Sequence, residues 1–531
     1  MAKNMTTITR KYVLIPEKSD SKHWEKRVYD YTVSDLNKRI SFYEEQLKKG
    51  KKKEDREKAK KRIEELKGEL NAYVSDPKIN QKIVNNYTYG LVRISMQEEA
   101  ERKNYIVEYV RMILTAEHAY TLSPVERNKR INEILKYAYR KKGSKSGSLF
   151  DEVEIGNILG SYGLAFNQML TKKIQDCCNK GALVGRAAFP FFKMDSPFTL
   201  AKANMGFTHE YDTFEELCEH VNDCKLYFSY GGNGNPHIAR FRIDLGHGKN
   251  RQELMSTILK VYSGEYPYCG SSIQLEKNKI VLNLTMQVPK QIKELDENTV
   301  VGVNLGMVVP AMCALNNDKY KRLAIGDEND FIRMRTKLQQ QRSRLQAGLR
   351  NTAGGHGREK KLKALERLKK QEAHFNETYS HMVSRRIVEF ALNNNAKYIN
   401  LENFTGMDKD NAVLKNFIYY KIEQYTTYKA EHYGIIVRKI NPCYNGQVCS
   451  IDGNWAPGQR ISRNVFKCAN PDCESHIIYK KSGFDADFNN ARNNAMSTLF
   501  MTKGQVSGKS MEEAREYYGF EEEYKKFLEE Q

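Results

Sequence analysis

The sequence predicts a multidomain α+β protein: a helical domain, a small β-barrel, and a mixed strand–helix domain. Three observations predict it. A chain of 531 residues is too long for one hydrophobic core. Apolar residues recur at helical spacing up to about Gly185 and at period two after it. From Thr299 onward the two periods interleave, strand with helix.

The elements follow in order. Thr6–Pro16 reads as a lone strand with nothing local to pair with, so it is expected to join the later barrel. From Ser34 to about Tyr73 the pattern is a helical hairpin turning at Gly50-Lys51-Lys52-Lys53, with Ile40, Tyr43, Leu47, Ile63, Leu66 and Leu70 on its seam. Ser123-Pro124-Val125-Glu126 supplies an N-cap, a first-turn proline and a glutamate at N3, which together start a helix. Lys142–Ser148, rich in Gly and Ser, breaks the helical region. Lys225–Tyr230 and His237–Ile243 flank a glycine-rich turn, and Ser272–Leu275 and Ile280–Met286 flank another, giving two hairpins of the barrel. Beyond Thr299 come Val300–Val309, Ala311–Leu315, long helices near 331–345 and 358–393, strands at Tyr398–Leu401 and Ile435–Ile440, and a helix from about Ala486. That order matches the ribonuclease-H architecture.

Composition restricts the partners. A net charge of +20, from 86 Lys and Arg interleaved with 32 Tyr, suits a polyanion whose phosphates are neutralised and whose bases or sugars stack on rings. No apolar run approaches the roughly 18 residues that cross a bilayer, and the first residues lack a signal-peptide core. Ten scattered cysteines point to a reducing compartment with a metal site rather than a disulfide framework.

Three separated stations carry the candidate chemistry. Phosphodiester hydrolysis commonly uses two divalent ions held by carboxylates on a first strand, a neighbouring strand end and a helix start. Asn304, Glu402 and Asp487 occupy those places. Asp485 is the nearby alternative and reads better as a helix cap. Hard oxygen ligands suit Mg²⁺, leaving Glu402 and Asp487 as its anionic ligands. Arg492, a turn beyond Asp487, is a supporting candidate for phosphate contact, or else an ordinary surface arginine. His356, Arg358, Lys360 and Lys361 form a basic loop at a helix start, equally readable as a backbone-phosphate contact or a plain helix connection. It is unlike a P-loop, since no Gly-Lys-Ser/Thr follows.

Val301–Gly306, Gly354-Gly355-His356-Gly357-Arg358, Ile399–Asn403 and Ala486–Asn493 resemble the RuvC motifs of miniature type V (type V-F) CRISPR effectors and of the related transposon-encoded TnpB nucleases. The match is close over about 299–500, and the upstream order is similar to that family's recognition and wedge domains. The resemblance implies wedge β-barrel strands at 1–32, a helical recognition domain at 33–184 and the wedge β-barrel at 185–298. It further implies an RNase H-like RuvC domain at 299–442 and 484–505, a zinc-ribbon-like target-nucleic-acid module at 443–483, and an acidic tail at 506–531. It implies an Mg²⁺-dependent, RNA-guided DNA endonuclease of prokaryotic cytoplasm, with guide RNA and double-stranded target DNA as partners and two protein copies on one guide. Sequence choice then rests on base pairing, while basic surface holds the heteroduplex.

Two departures matter. The family has Asp where this chain has Asn304, and a neutral amide cannot bridge two cations, so cutting is expected to fall by orders of magnitude while binding persists. A natural RNA-guided DNA-binding regulator that does not cut, and a TnpB-like transposon nuclease, are the alternative readings. The ribbon's first knuckle reads Cys449-Ser450-Ile451-Asp452 and its second Cys468–Cys473 with two extra residues. Either Cys449, Cys468 and Cys473 hold zinc with a fourth ligand from Cys443, His476 or Asp452, or packing alone holds the ribbon.

Overall fold

The computed structural model describes residues 5–19, 21–49, 53–140, 145–147, 149, 164–220, 225–231, 238–306, 309–352, 354–403, 418–479, 482–501 and 511–529. The chain divides into two compact units, Met1–Pro289 and Lys290–Gln531.

In the first unit, β1 (Met5–Glu17) lies at the centre of a seven-stranded antiparallel sheet. The other strands are β2 (Phe198–Leu200), β3 (Met205–His209), β4 (Leu226–Tyr230), β5 (Ala239–Asp244), β6 (Ser271–Glu276) and β7 (Lys279–Pro289), in the order β2-β6-β7-β1-β5-β4-β3. The thirteen residues of β1 let it pair with β7 from Met5 to Leu14 and with β5 from Val13 to Glu17. The expected β-barrel is therefore corrected: the sheet is open, and β2 and β3 are its two edges, with no closure between them among the described residues. The reason lies in α1 (Lys22–Lys49) and α3 (Gln81–Ala116), which flank α2 (Lys53–Ser75) in sequence. Trp24 and Val28 of α1 and Val84, Tyr87, Leu91, Val92 and Met96 of α3 share one core with Tyr12, Phe228, Phe241 and Leu282 of the sheet. A sheet whose apolar face is covered by helices need not curl upon itself to bury it.

Helices α1 and α2 form the hairpin, and its core is Leu36, Ile40, Ile63 and Leu66 with Tyr43, Leu47 and Leu70 against them. Its turn residues Gly50–Lys52, like residues 142–144 and 148 of the expected break and the glycine-rich turn at 232–237, lie outside the described residues. The helix α4 (Pro124–Ala138) begins with the full capping box of Ser123 and Glu126. Phe166, Leu170 and Ile174 of α5 (Leu164–Asn179) join α3 and α4 in a second core. Two shorter helices, α6 (Phe214–Glu219) and α7 (Arg251–Tyr262), lie between the strands in sequence.

In the second unit, β8 (Asp296–Asn304), β9 (Ala311–Leu315) and β10 (Arg322–Ile325) form an antiparallel meander. β11 (Ala396–Glu402) lies parallel to β8, and β12 (Ile436–Ile440) parallel to β11, giving the order β10-β9-β8-β11-β12. A meander followed by two parallel crossovers is the ribonuclease-H topology, with β8 in the middle and buried on both faces from Thr299 to Asn304. Between β10 and β11 stand the long helices α8 (Glu328–Arg350) and α9 (Gly355–Asn393), and α10 (Tyr419–His432) precedes β12. Val301, Val303, Ile399 and Leu401 pack on one face against Val383, Ile387 and Ala391 of α9 and Ile422 of α10.

The other face receives α12 (Ala486–Met496), which the small ribbon of β13 (Val465–Phe466), α11 (Glu474–Ile478) and β14 (Phe484–Asp485) precedes. A glycine makes this contact possible. A Cβ on Gly302 would lie 2.0 Å from the Ala491 carbonyl oxygen and 2.1 Å from the Ala495 nitrogen. Absence of a side chain on β8 thus lets α12 rest directly on the strand. At its far end, Asn400 donates to the carbonyls of Asn494 at 2.8 Å and Ser497 at 3.3 Å, satisfying groups the helix end leaves open. The last two helices, α13 (Met511–Tyr518) and α14 (Glu521–Glu529), pack Phe520 against Val448 and Trp455.

Candidate functional site

The strand and helix just described bring the three stations together. Asp485 N-caps α12, accepting from the backbone of Asp487 at 2.8 Å and of Phe488 at 3.2 Å. That cap fixes the first turn, so the Asp487 carboxylate faces the end of β8. There the Asn304 amide donates to Asp487 Oδ1 at 3.0 Å. Glu402, at the end of the neighbouring strand, accepts from Asn494 at 3.1 Å. Asn494 donates also to the Val303 carbonyl at 2.9 Å, tying strand, helix and acid into one unit.

Both acids are strained toward the neutral form. Glu402 is 7% exposed, and burial, with a further push from Asp487, raises its pKa to about 7 against the hydrogen bonds from Asn494 and the Leu305 backbone. Burial, then the Asp485 charge, raises Asp487, while Arg460, the Asn304 amide and Arg463 pull it back. One buried and one half-buried carboxyl with raised pKa values, bordered by arginines, make a site where an added cation would favour the ionised acids.

Arg460 and Arg463, which the sequence reading did not single out, come from the ribbon. Arg460 reaches Asn490 at 3.4 Å and the Arg463 carbonyl at 2.7 Å. The spacing of Asp487, Asn490 and Asn494 along one helical face was a signal available in the sequence for the two asparagines. The opposite pair, Asn489 and Asn493, holds the ribbon instead: each donates to the Val448 carbonyl, at 2.9 and 2.8 Å. Asn445 binds Asn494, and Tyr518 of α13 donates to Asn445 at 2.6 Å, so a chain of polar contacts runs from the C-terminal helices to Glu402.

The remaining sequence candidates fall elsewhere. Arg492 turns to the ribbon, donating to the Ser450 carbonyl at 2.5 Å, and its acidic neighbours are Asp318 and Glu474 rather than the two acids. Arg358 donates to the carbonyls of Leu349 and Thr352 at 3.0 and 2.8 Å, and Lys361 to that of Gly348 at 2.9 Å. Both satisfy the end of α8 and close the α8–α9 connection. His356 and Lys360 are exposed beside them.

In the ribbon, Cys449, Asp452, Cys468 and Cys473 bring one ligand atom each within 4.8 Å of one another. The Cys449 and Cys473 sulfurs are 3.8 Å apart, and Cys468 Sγ is 3.6 Å from Asp452 Oδ2. A tetrahedron with metal–sulfur bonds of ~2.3 Å has a sulfur–sulfur edge of ~3.8 Å, so the spacing fits a zinc-type centre. Asp452 stands where the missing thiolate would be. His476 turns its Nδ1 to the Cys468 carbonyl at 2.7 Å, and Cys443 lies outside the cluster. Burial raises the thiols of Cys449 and Cys468, the latter to about 11.

Comparison with known proteins places the chain in a family. The Cas12f1-like TNB domain family matches residues 419–493. The chain is 32% identical over 328 residues to the CRISPR-associated endodeoxyribonuclease Cas12f1 of Sulfoacidibacillus thermotolerans, covering 60% of this chain and 73% of that one. It is 30% identical over 254 residues to the Cas12f1 of Syntrophomonas palmitatica, covering 43% and 51%. A Cas12f1–sgRNA–target DNA complex solved by cryo-electron microscopy shares the fold, at a TM-score of 0.57 and 18% identity over 94% of this chain and 100% of that one. No helix among the described residues is long and apolar enough to cross a membrane. By sequence and by fold, the chain belongs to the Cas12f family of CRISPR-associated, TnpB-related type V-F effectors.

Proposed function

We propose that this chain is an RNA-guided DNA-targeting protein whose RuvC-type centre binds its target but cuts it poorly. The observation that carries the second half is the Asn304–Asp487 hydrogen bond. In the family the first-strand position supplies a carboxylate; here it supplies an N–H that satisfies Asp487 directly. Glu402 and Asp487 are the residues that would hold Mg²⁺, which when bound polarises a phosphoryl oxygen and stabilises charge on the attacking and leaving oxygens. The donor set fits that ion weakly, since two carboxylates and an amide carry one charge fewer than three carboxylates. The end of β11 and the capped start of α12 would turn Glu402 and Asp487 toward a phosphodiester, and Asn494 holds Glu402 in place. Arg460 and Arg463 attract the phosphates.

Targeting rests on family membership and on a charge of +20. A basic surface of this size holds guide and heteroduplex through their backbones, and pairing selects the sequence. Cys449, Asp452, Cys468 and Cys473 are the zinc ligands of this reading, fixing the ribbon that carries the two arginines. Two copies on one guide follow from the family resemblance, and the mass of the assembled complex reads them out. The test is to sequence the RNA that co-purifies with the protein and to measure binding of duplex DNA complementary to it. A repeat-and-spacer RNA directing binding supports the reading; an RNA from a transposon end favours the TnpB-like alternative, and no specific RNA contradicts both.

A further inference from the structure

Beside the acid cluster, and wholly within the second unit, lies an open cavity of about 790 Å³ between the ribbon and the C-terminal helices. Its walls combine two chemistries. Trp455, Tyr444, Tyr524 and Phe527 supply rings, and Arg460 and Arg463 supply cations. Trp455 is fixed by a parallel stack on Phe520, with centroids 4.6 Å apart, and Tyr524 and Phe527 stand edge-on to it at 5.8 and 6.3 Å. Neither Arg460 nor Arg463 forms an ion pair with a carboxylate among the described residues. Their charges nevertheless act on Asp487, and that of Arg460 on Glu402 as well.

We infer that this cavity takes one unstacked nucleotide of the single strand that reaches the acids, its base against the rings and its phosphate at the two arginines. Ring faces bind any base, while a guanidinium pair binds phosphate and rejects an uncharged ligand. Because the same arginines border both cavity and acids, a base held there sets which phosphate lies at Glu402 and Asp487. Met511 of α13 and Tyr524 and Phe527 of α14 close one side of the cavity, so the C-terminal helices become part of the strand path. This inference rests on the reading of the protein as a DNA binder.

The test uses the full chain with its guide, in Ca²⁺ in place of Mg²⁺ and without chelator, and short thymidine oligonucleotides with or without one abasic position. Phe527→Leu keeps an apolar side chain while removing the ring, and Arg463→Gln removes a charge from an exposed position. The parent is expected to prefer the intact strand to the abasic one by about tenfold. Phe527→Leu should remove that preference, leaving affinity for the abasic strand unchanged. Arg463→Gln should weaken both strands and lower the salt dependence by about one counterion. Equal affinity of the parent for intact and abasic strands would overturn the inference, as would an equal loss on both from Phe527→Leu. Competition by thymidine monophosphate as strong as by the strand would also overturn it, in favour of a free-nucleotide site. Guide-directed duplex binding measured in parallel separates the two claims: its absence in the parent sinks the functional reading, not the cavity.

Discussion

Asn304→Asp should make the nuclease unit depend on divalent metal for its stability. The Asn304 amide lies 3.0 Å from Asp487 Oδ1, so an aspartate at the same position sets two carboxylate oxygens roughly that far apart. At an effective dielectric of about 20 the repulsion of two charges at ~3 Å is about 5 kcal/mol. That exceeds the ~4 kcal/mol needed to keep a proton on an ordinary carboxyl at pH 7, so the pair takes up a proton instead and the penalty is capped there. Arg460 and Arg463 offset part of it, leaving a net loss of about 2 kcal/mol without metal. For a unit of this size that lowers Tm by roughly 4–8 °C. Excess Mg²⁺ should restore it, since a ligand at a hundred times its Kd contributes about 2.7 kcal/mol. Thermal unfolding of parent and variant without added Mg²⁺, in chelator-free buffer, and in excess Mg²⁺ reads both effects. If the variant melts with the parent without Mg²⁺, and Mg²⁺ moves the two equally, Asn304 does not face a metal site and the reasoning fails.

Other outcomes follow from the same geometry. Glu402 is raised to about 7, so between the unfolded value of 4.5 and pH 7 the folded state holds a proton that the unfolded chain has released. Metal-free stability should therefore fall as pH rises through that window, by up to roughly 3 kcal/mol, and Glu402→Gln should flatten the slope in unfolding measured at pH 5 and pH 8. Gly302→Ala should cost about 3 kcal/mol in denaturant unfolding, because its Cβ meets the α12 backbone at 2.0 Å. Elemental analysis should find one zinc per chain, lost in Cys468→Ser, whereas a metal-free parent would leave the ribbon to packing alone. Tyr518→Phe should cost about 1 kcal/mol by removing its bond to Asn445.

Much of the second unit was legible because its signals are local. An unbroken buried run marks β8, the Asp485 cap marks the start of α12, and Glu402 ends a short apolar strand. Grouping these elements needed the ribonuclease-H order, which the sequence carries as a sequence of elements. The first unit was misread at the level of closure. Alternating strands look alike whether the sheet closes or lies open, and only the packing of Val84, Tyr87 and Leu91 on it distinguishes them. Arg460 and Arg463 were missed because an exposed arginine in a loop has no periodic signature; its role comes from where the ribbon places it. Arg358 and Lys361 illustrate the converse, since a basic loop read for phosphate spends two of its charges on helix-end carbonyls.

The central claim is that a single side chain separates binding from cutting. The direct measurement is guide-dependent cleavage of a matched duplex in Mg²⁺ by the parent and by Asn304→Asp, with target binding measured on the same samples. The account predicts equal binding and cleavage faster in Asn304→Asp by on the order of 10²–10³-fold. Cleavage by the parent at the rate of the variant would contradict it.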